Sequence, residues 1–179
     1  MDAVLTAHPK LVGNIFAEKI SSSGFVYIFG GGHVAQELVP VLAHVGFRCV
    51  VMDDREEFAR RELFPSAEEV KLIDFTKIAE SVTVTEEDYV CVMTRGHAFD
   101  TVIQAQVLKC RPAYVGVIGS RKKAAGVRKI LKEEYGLSEE ELNIVTTPIG
   151  ISIDAETPAE IAVSIAGQLI QVRAQRNKV

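Results

Sequence analysis

The chain has 179 residues, 47% hydrophobic and 25% charged, with a formal net charge of −4; this is the size and balance of one globular domain with enough apolar material for a full core. The mild negative charge argues against a general nucleic-acid binder, and no apolar run reaches the length needed to span a membrane. The N-terminus, MDAVLTAHPK, lacks a basic start followed by an apolar stretch, which argues against a secretory signal and for a cytoplasmic protein.

Residues 1–24, ending in SSSG, read as a short helix and linker, a remnant before a domain over 25–179. Five short β-rich runs follow: FVYIF (25–29), RCVVM (48–52), EVKLI (69–73), YVCVM (89–93) and YVGVI (114–118). They are apolar on both faces, as buried parallel strands are. Helices are predicted at about 33–45, 56–62, 99–109, 121–135 and 158–174. This alternation specifies an α/β fold with a doubly wound, mostly parallel sheet of Rossmann type, in a single domain. TPAE (157–160) is a capping box with Pro158 at the first helical position, and SEEE (138–141) is a weaker one. Ile161, Ile165, Leu169 and Val172 recur on one face of the last helix, which therefore packs on the sheet. Cys49, Cys91 and Cys110 form no CxxC pair and read as reduced core residues; no metal site is expected.

The first chemical signal is the loop after the first strand. Gly30, Gly32 and Ala35 fit G-x-G-x-x-[G/A], between a strand and an amphipathic helix. The first glycine permits the tight turn, the second admits a pyrophosphate to the backbone, and Ala35 lets the helix pack on the sheet. Gly30, Gly31, Gly32, His33 and Val34 are therefore the candidate anion cradle, where free N–H groups and the helix dipole meet. His33 either donates to the ligand or is solvated. Asp53 lies about 20 positions further on, the spacing for a ribose-diol acceptor. Asp54 and Arg55 follow; Arg55 either pairs with an aspartate or contacts a 2′-phosphate, so NAD and NADP are both open.

YVGVIGSRKK (114–123) repeats the strand–glycine–helix pattern. Ser120 is a candidate N-cap. Arg121, Lys122 and Lys123 then fill the first turn, where cations oppose the dipole by about 0.3–1 kcal/mol each. An anion at Gly119–Ser120 would offset that; a solvated basic face is the alternative. MTRGHAFD (93–100) follows the fourth strand and brings Thr94, Arg95, His97 and Asp100 to the crevice beyond the strand ends, with Asp100 as a candidate cap of the next helix. In TPIGISIDAETPAEIA (147–162), Thr147, Asp154 and Glu156 sit in a loop fixed by Pro148 and Gly150. Glu156 either caps the last helix or reads the ligand.

Together GGGHVAQEL, VVMDDREEFA, MTRGHAFD, VGVIGSRKK and PIGISIDAETPAEIAVSIAGQLI resemble the C-terminal Rossmann domain of the XdhC/CoxI family, the xanthine dehydrogenase accessory factors, over about residues 25–174. Where that family often reads T-H-G-H, this chain has Thr94-Arg95-Gly96-His97. The resemblance implies a cofactor chaperone rather than an enzyme. It would bind the molybdenum cofactor, as molybdopterin or its dinucleotide, assist its sulfuration and pass it to an apo-molybdenum hydroxylase. It also implies a homodimer, with a cysteine desulfurase or a separate N-terminal-domain protein as further partners. The competing readings are an NAD(P)-linked oxidoreductase, for which His97 or Asp100 would be the acid or base, and a nucleotide-sensing module.

Overall fold

The computed structural model describes residues 10–12, 15–17, 24–95 and 99–176. Six strands form one parallel sheet: β3 (Phe25–Phe29), β4 (Arg48–Asp53), β5 (Glu69–Leu72), β6 (Tyr89–Val92), β7 (Tyr114–Val117) and β8 (Val145–Thr146), in the order β5-β4-β3-β6-β7-β8. Numbered within the sheet this is 3-2-1-4-5-6, the dinucleotide-binding order, whose switch point lies between β3 and β6. A separate antiparallel pair, β1 (Lys10–Val12) and β2 (Ile15–Ala17), stands where the sequence suggests helix; most of the 1–24 segment lies outside the described residues.

Alternation along β3 sorts the core into two layers. Val26 and Ile28 pack with α1 (His33–His44) and α5 (Pro158–Arg176). Tyr27 and Phe29 pack on the other face with α2 (Asp100–Val107), α3 (Arg121–Glu133) and α4 (Glu139–Asn143). Ile165 and Leu169 of α5 are fully buried, with Ile161 and Val172 against the same cluster, as their spacing requires. Both capping boxes form. The Thr157 hydroxyl accepts from Glu160 N at 3.3 Å, and the Glu160 carboxylate accepts from Thr157 N at 2.9 Å. Ser138 and Glu141 do the same for α4.

The helix predicted over 99–109 forms as α2, continued by a 3-10 turn, Leu108–Cys110. Two expectations change. The helix predicted over 56–62 is a set of turns ending in a single 3-10 turn at Arg61–Leu63. Cys49 and Cys91 are buried, but Cys110 is exposed at the end of that turn.

Candidate functional site

In a parallel sheet every strand ends at the same edge. The loops after β3, β6, β7 and β8 therefore lie along one edge, with β3 and β7 two strand spacings, about 10 Å, apart. The chain continues the ladder by single bonds past the strand ends: Gly30 N to Met52 O at 2.7 Å, Met93 N to Phe29 O at 2.8 Å, Ile118 N to Val92 O at 2.9 Å and Ile149 N to Val117 O at 3.0 Å. All four loops are thus held against their neighbours at their roots.

The glycines of the first loop do different work. Gly30 has φ +111°, and a Cβ there would stand 2.4 Å from Met93 O; only glycine lets the β3 and β6 ends approach. At Gly31 a Cβ would meet Phe58 O at 2.5 Å. Gly32 is unlike both. Its φ is −71°, it caps α1 without a side-chain hydrogen bond, and a Cβ would meet nothing within 4 Å. Neither sterics nor a positive φ requires glycine there. An uncapped helix start with open space in front of it is what a phosphate needs. His33 is exposed and Val34 half-buried beside it.

Asp53 corrects the ribose-acceptor expectation. Its carboxylate is fully buried and accepts from Gly31 N at 2.7 Å, Arg55 N at 3.0 Å, Arg55 Nε at 2.8 Å and an Arg55 terminal nitrogen at 2.9 Å. It is a strut that ties the glycine loop to the end of β4. Burial pushes the carboxyl up; the Arg55 fork, and then the N–H groups of Gly31 and Arg55, outweigh this and hold it below its ordinary value. Arg55 also lies over the Phe58 ring at 4.0 Å. Of the alternatives for Arg55, pairing with aspartate is the one found. Asp54 is the carboxylate that faces solvent here, 3.8 Å from Arg55; partial burial raises its pKa, and the charge of Asp53 adds to that.

The second loop has the predicted cap. Ser120 accepts from Lys123 N at 3.4 Å. Arg121, Lys122 and Lys123 are exposed around it. A cavity of about 500 Å³, mostly apolar, opens beside Gly119 and Ser120 and runs under α3 to Asp100, Gln104 and Thr147. The glycine loop at 30–32 is not among its walls.

After β6, Thr94 is half-buried and donates from Oγ1 to the Asp100 carboxylate. Asp100 is 3% exposed and is the first residue of α2, not its N-cap, which is Phe99. Arg95 is exposed. His97 lies outside the described residues. In the last loop Asp154 and Glu156 are exposed, Asp154 with φ +54°. Glu156 contributes only its backbone N–H to the cap of α5, accepted by Glu160 at 2.9 Å. Two residues that sequence reasoning missed pin this loop to α5. The Gln168 amide oxygen accepts from Gly150 N at 2.7 Å and from the Tyr114 hydroxyl, and Ser164 Oγ donates to Ile151 O at 2.6 Å. Among the described residues no group of three or more His, Cys, Asp or Glu is placed to hold a metal ion, and no helix is long and apolar enough to cross a membrane.

The strand order and the glycine loop define a Rossmann-type α/β domain. Residues 26–169 match the model of the XdhC Rossmann domain, and the chain belongs to that family. It is 30% identical over 150 residues to the uncharacterized protein YqeB of Escherichia coli, covering 82% of this chain and 27% of that protein. It is 26% identical over 160 residues to a protein of Bacillus subtilis named as a probable xanthine dehydrogenase component, covering 89% and 46%. A crystal structure described as a xanthine dehydrogenase from Bacillus halodurans superposes with a TM-score of 0.75 at 30% identity, over 87% of this chain and 44% of that one. The chain thus spans less than half the length of each of these relatives.

Proposed function

We propose that this chain binds the molybdenum cofactor, as molybdopterin or its dinucleotide, in an accessory role in the maturation of a xanthine dehydrogenase-type molybdenum hydroxylase. The observation that carries the reading is the start of α1: a glycine that neither sterics nor a positive φ requires, with open space before an uncapped helix. Family membership and relatives named for xanthine dehydrogenase support the choice of client, and the ligand is the cofactor such a client would need.

The residues present suit such a group. The N–H groups that follow Gly32 would hold the terminal phosphate, with His33 and Val34 beside it. Ser120, Arg121 and Lys122 would meet a second anionic group, and Asp54, Thr94, Arg95, Asp154 and Glu156 would supply the outer contacts. The cofactor, when bound, supplies the metal on its own dithiolene sulfurs. This chain's part is to bind, orient and shield it. The partners in this reading are the hydroxylase apoenzyme, a cysteine desulfurase or a separate N-terminal-domain protein, and a second copy of the chain. NAD(P) is the alternative ligand, as in an oxidoreductase or a nucleotide sensor.

The test uses protein purified from cells that make the cofactor. Released pterin is oxidised to its fluorescent form and quantified, and the protein is added to apo-hydroxylase. Bound pterin and a rise in hydroxylase activity are expected. Protein that carries no pterin and leaves hydroxylase activity unchanged would sink the proposal, and tight NAD(P)(H) retention instead would favour the alternative.

A further inference from the structure

Helix α3 is underpacked, and the space beneath it has two unlike ends. Leu131 is the one residue of α3 that is buried, against five in α5. Ala124 and Val127 are half-buried, and Ile130 is 37% exposed, although all three lie on the wall of the cavity of about 500 Å³. That volume falls in the range of small-molecule sites, roughly 300–1,000 Å³. α3 starts at the strand-end edge and runs back along the sheet, so Leu131 lies roughly 16 Å further in than Ser120.

The far end is apolar, walled by Val127, Leu131, Leu142 and Val145. The near end is walled by Ser120 and Lys123, with Arg121 and Lys122 exposed on the same turn. Of the other charged and amide side chains on the walls, Asp100, Gln104 and Arg128 are already bonded within the chain. Thr94 donates to the Asp100 carboxylate, and the Gln104 amide donates to Asp100 O at 2.9 Å. The Arg128 guanidinium donates to Leu142 O at 3.0 Å, to Glu139 and to Asn143. These groups ask nothing of an occupant, so a ligand with polar edges would be desolvated there without return. The Lys123 ammonium, by contrast, has no partner among the described residues, and three cations against the one Asp100 carboxylate make the near end net positive. We propose that the cavity binds an amphipathic carboxylate: a single unbranched apolar chain lies under α3 towards Leu131 and Leu142, and its one anionic head meets Lys123. The chain covers the apolar face that α3 leaves half-exposed, and the head supplies the charge that the first turn lacks. This site does not depend on a phosphate at Gly32.

The experiment titrates hexanoate, octanoate, decanoate and dodecanoate, each kept monomeric, and the uncharged decanol into the full chain by calorimetry. One site per chain is expected, with affinity rising about fourfold per added methylene until the cavity is full and then levelling. Decanoate should bind more tightly than decanol. Ala124→Leu and Val127→Phe narrow the cavity and should weaken decanoate about tenfold or more. Lys123→Gln should bring decanoate towards the affinity of decanol and leave decanol unchanged. Thermal scans identify the variants that fold, and if neither cavity variant does, Lys123→Gln with the chain-length series decides. No saturable binding of any acid to wild type would overturn the proposal, and so would affinity that climbs with length without levelling, the mark of adsorption to the surface. Decanoate binding that is unchanged in a folded cavity variant would place the site elsewhere and overturn it. Decanoate binding that is unchanged in Lys123→Gln would remove the anionic head from the assignment and refute the class of ligand.

Discussion

Asp53 and Arg55 fix the glycine loop, and their ion pair is largely shielded from water: the Asp53 side chain is 1% exposed and that of Arg55 24%. The folded carboxyl has a lowered pKa, so the unfolded chain binds the proton more readily than the native one. The pair's contribution to stability is therefore fully present above the ordinary carboxylate value of about 4 and is lost as pH falls through the lower, folded value. Urea midpoints at pH 7 and pH 3 should fall further for wild type than for Arg55→Gln; equal losses would show that the pair is not the source. Gly30 and Gly32 should separate fold from ligand. Gly30→Ala meets Met93 O and a positive φ, and should destabilise by more than about 2 kcal/mol. Gly32→Val meets no steric barrier but gives up a favoured N-cap residue, and should cost about 1 kcal/mol, less than Gly30→Ala. A thermal scan showing the reverse order would overturn the distinct roles of the two glycines. The cysteines give a third check. Burial pushes the Cys49 thiol up to about 12 and Cys91 higher still, while Cys110 is exposed. A thiol-specific chromogenic reagent should find one fast thiol in the native protein and all three after unfolding; a second fast thiol would mean the strands open readily.

Helix α3 combines features that oppose its own stability: three cations in the first turn and a glycine in the middle. Replacing Arg121, Lys122 and Lys123 together by Gln should raise helix stability, by about 0.3–1 kcal/mol per cation removed, and weaken pyrophosphate binding measured by calorimetry. Unchanged affinity would make these residues a solvated face. Such local chemistry was legible in the sequence because it needs only neighbours in the chain: strand, glycine, cap, charge. The five strands and both capping boxes were legible for the same reason. The segment 56–62 was not. It carries helix-forming residues, but Arg55 is held on Asp53 and Phe58, and the chain turns to bury Phe64 instead. Tertiary contacts override propensity there. β8 is only two residues long, too short for periodicity to reveal. Asp53 had the right spacing for a ribose acceptor, yet one of its partners, the Gly31 N–H, meets it only when β3 and β4 pair.

At the scale of the whole molecule, parallel pairing does what no single motif can: it carries the ends of β3, β6, β7 and β8 to one edge. The switch point then places a helix start on each side of the sheet, α1 against one core layer and α3 against the other. The strands that lead into these two helices, β3 and β7, end two strand spacings, about 10 Å, apart. The cavity of about 500 Å³ adjoins the second of these helices.

The most direct measurement is the binding isotherm of the pterin diphosphate ester to the wild-type chain, to Gly32→Val and to the Arg121, Lys122, Lys123→Gln triple variant. The expected result is one saturable site per chain, with the dissociation constant raised about tenfold or more in each variant. Two independent sites, or an unchanged constant in either well-folded variant, would contradict a single ligand shared by the two turns.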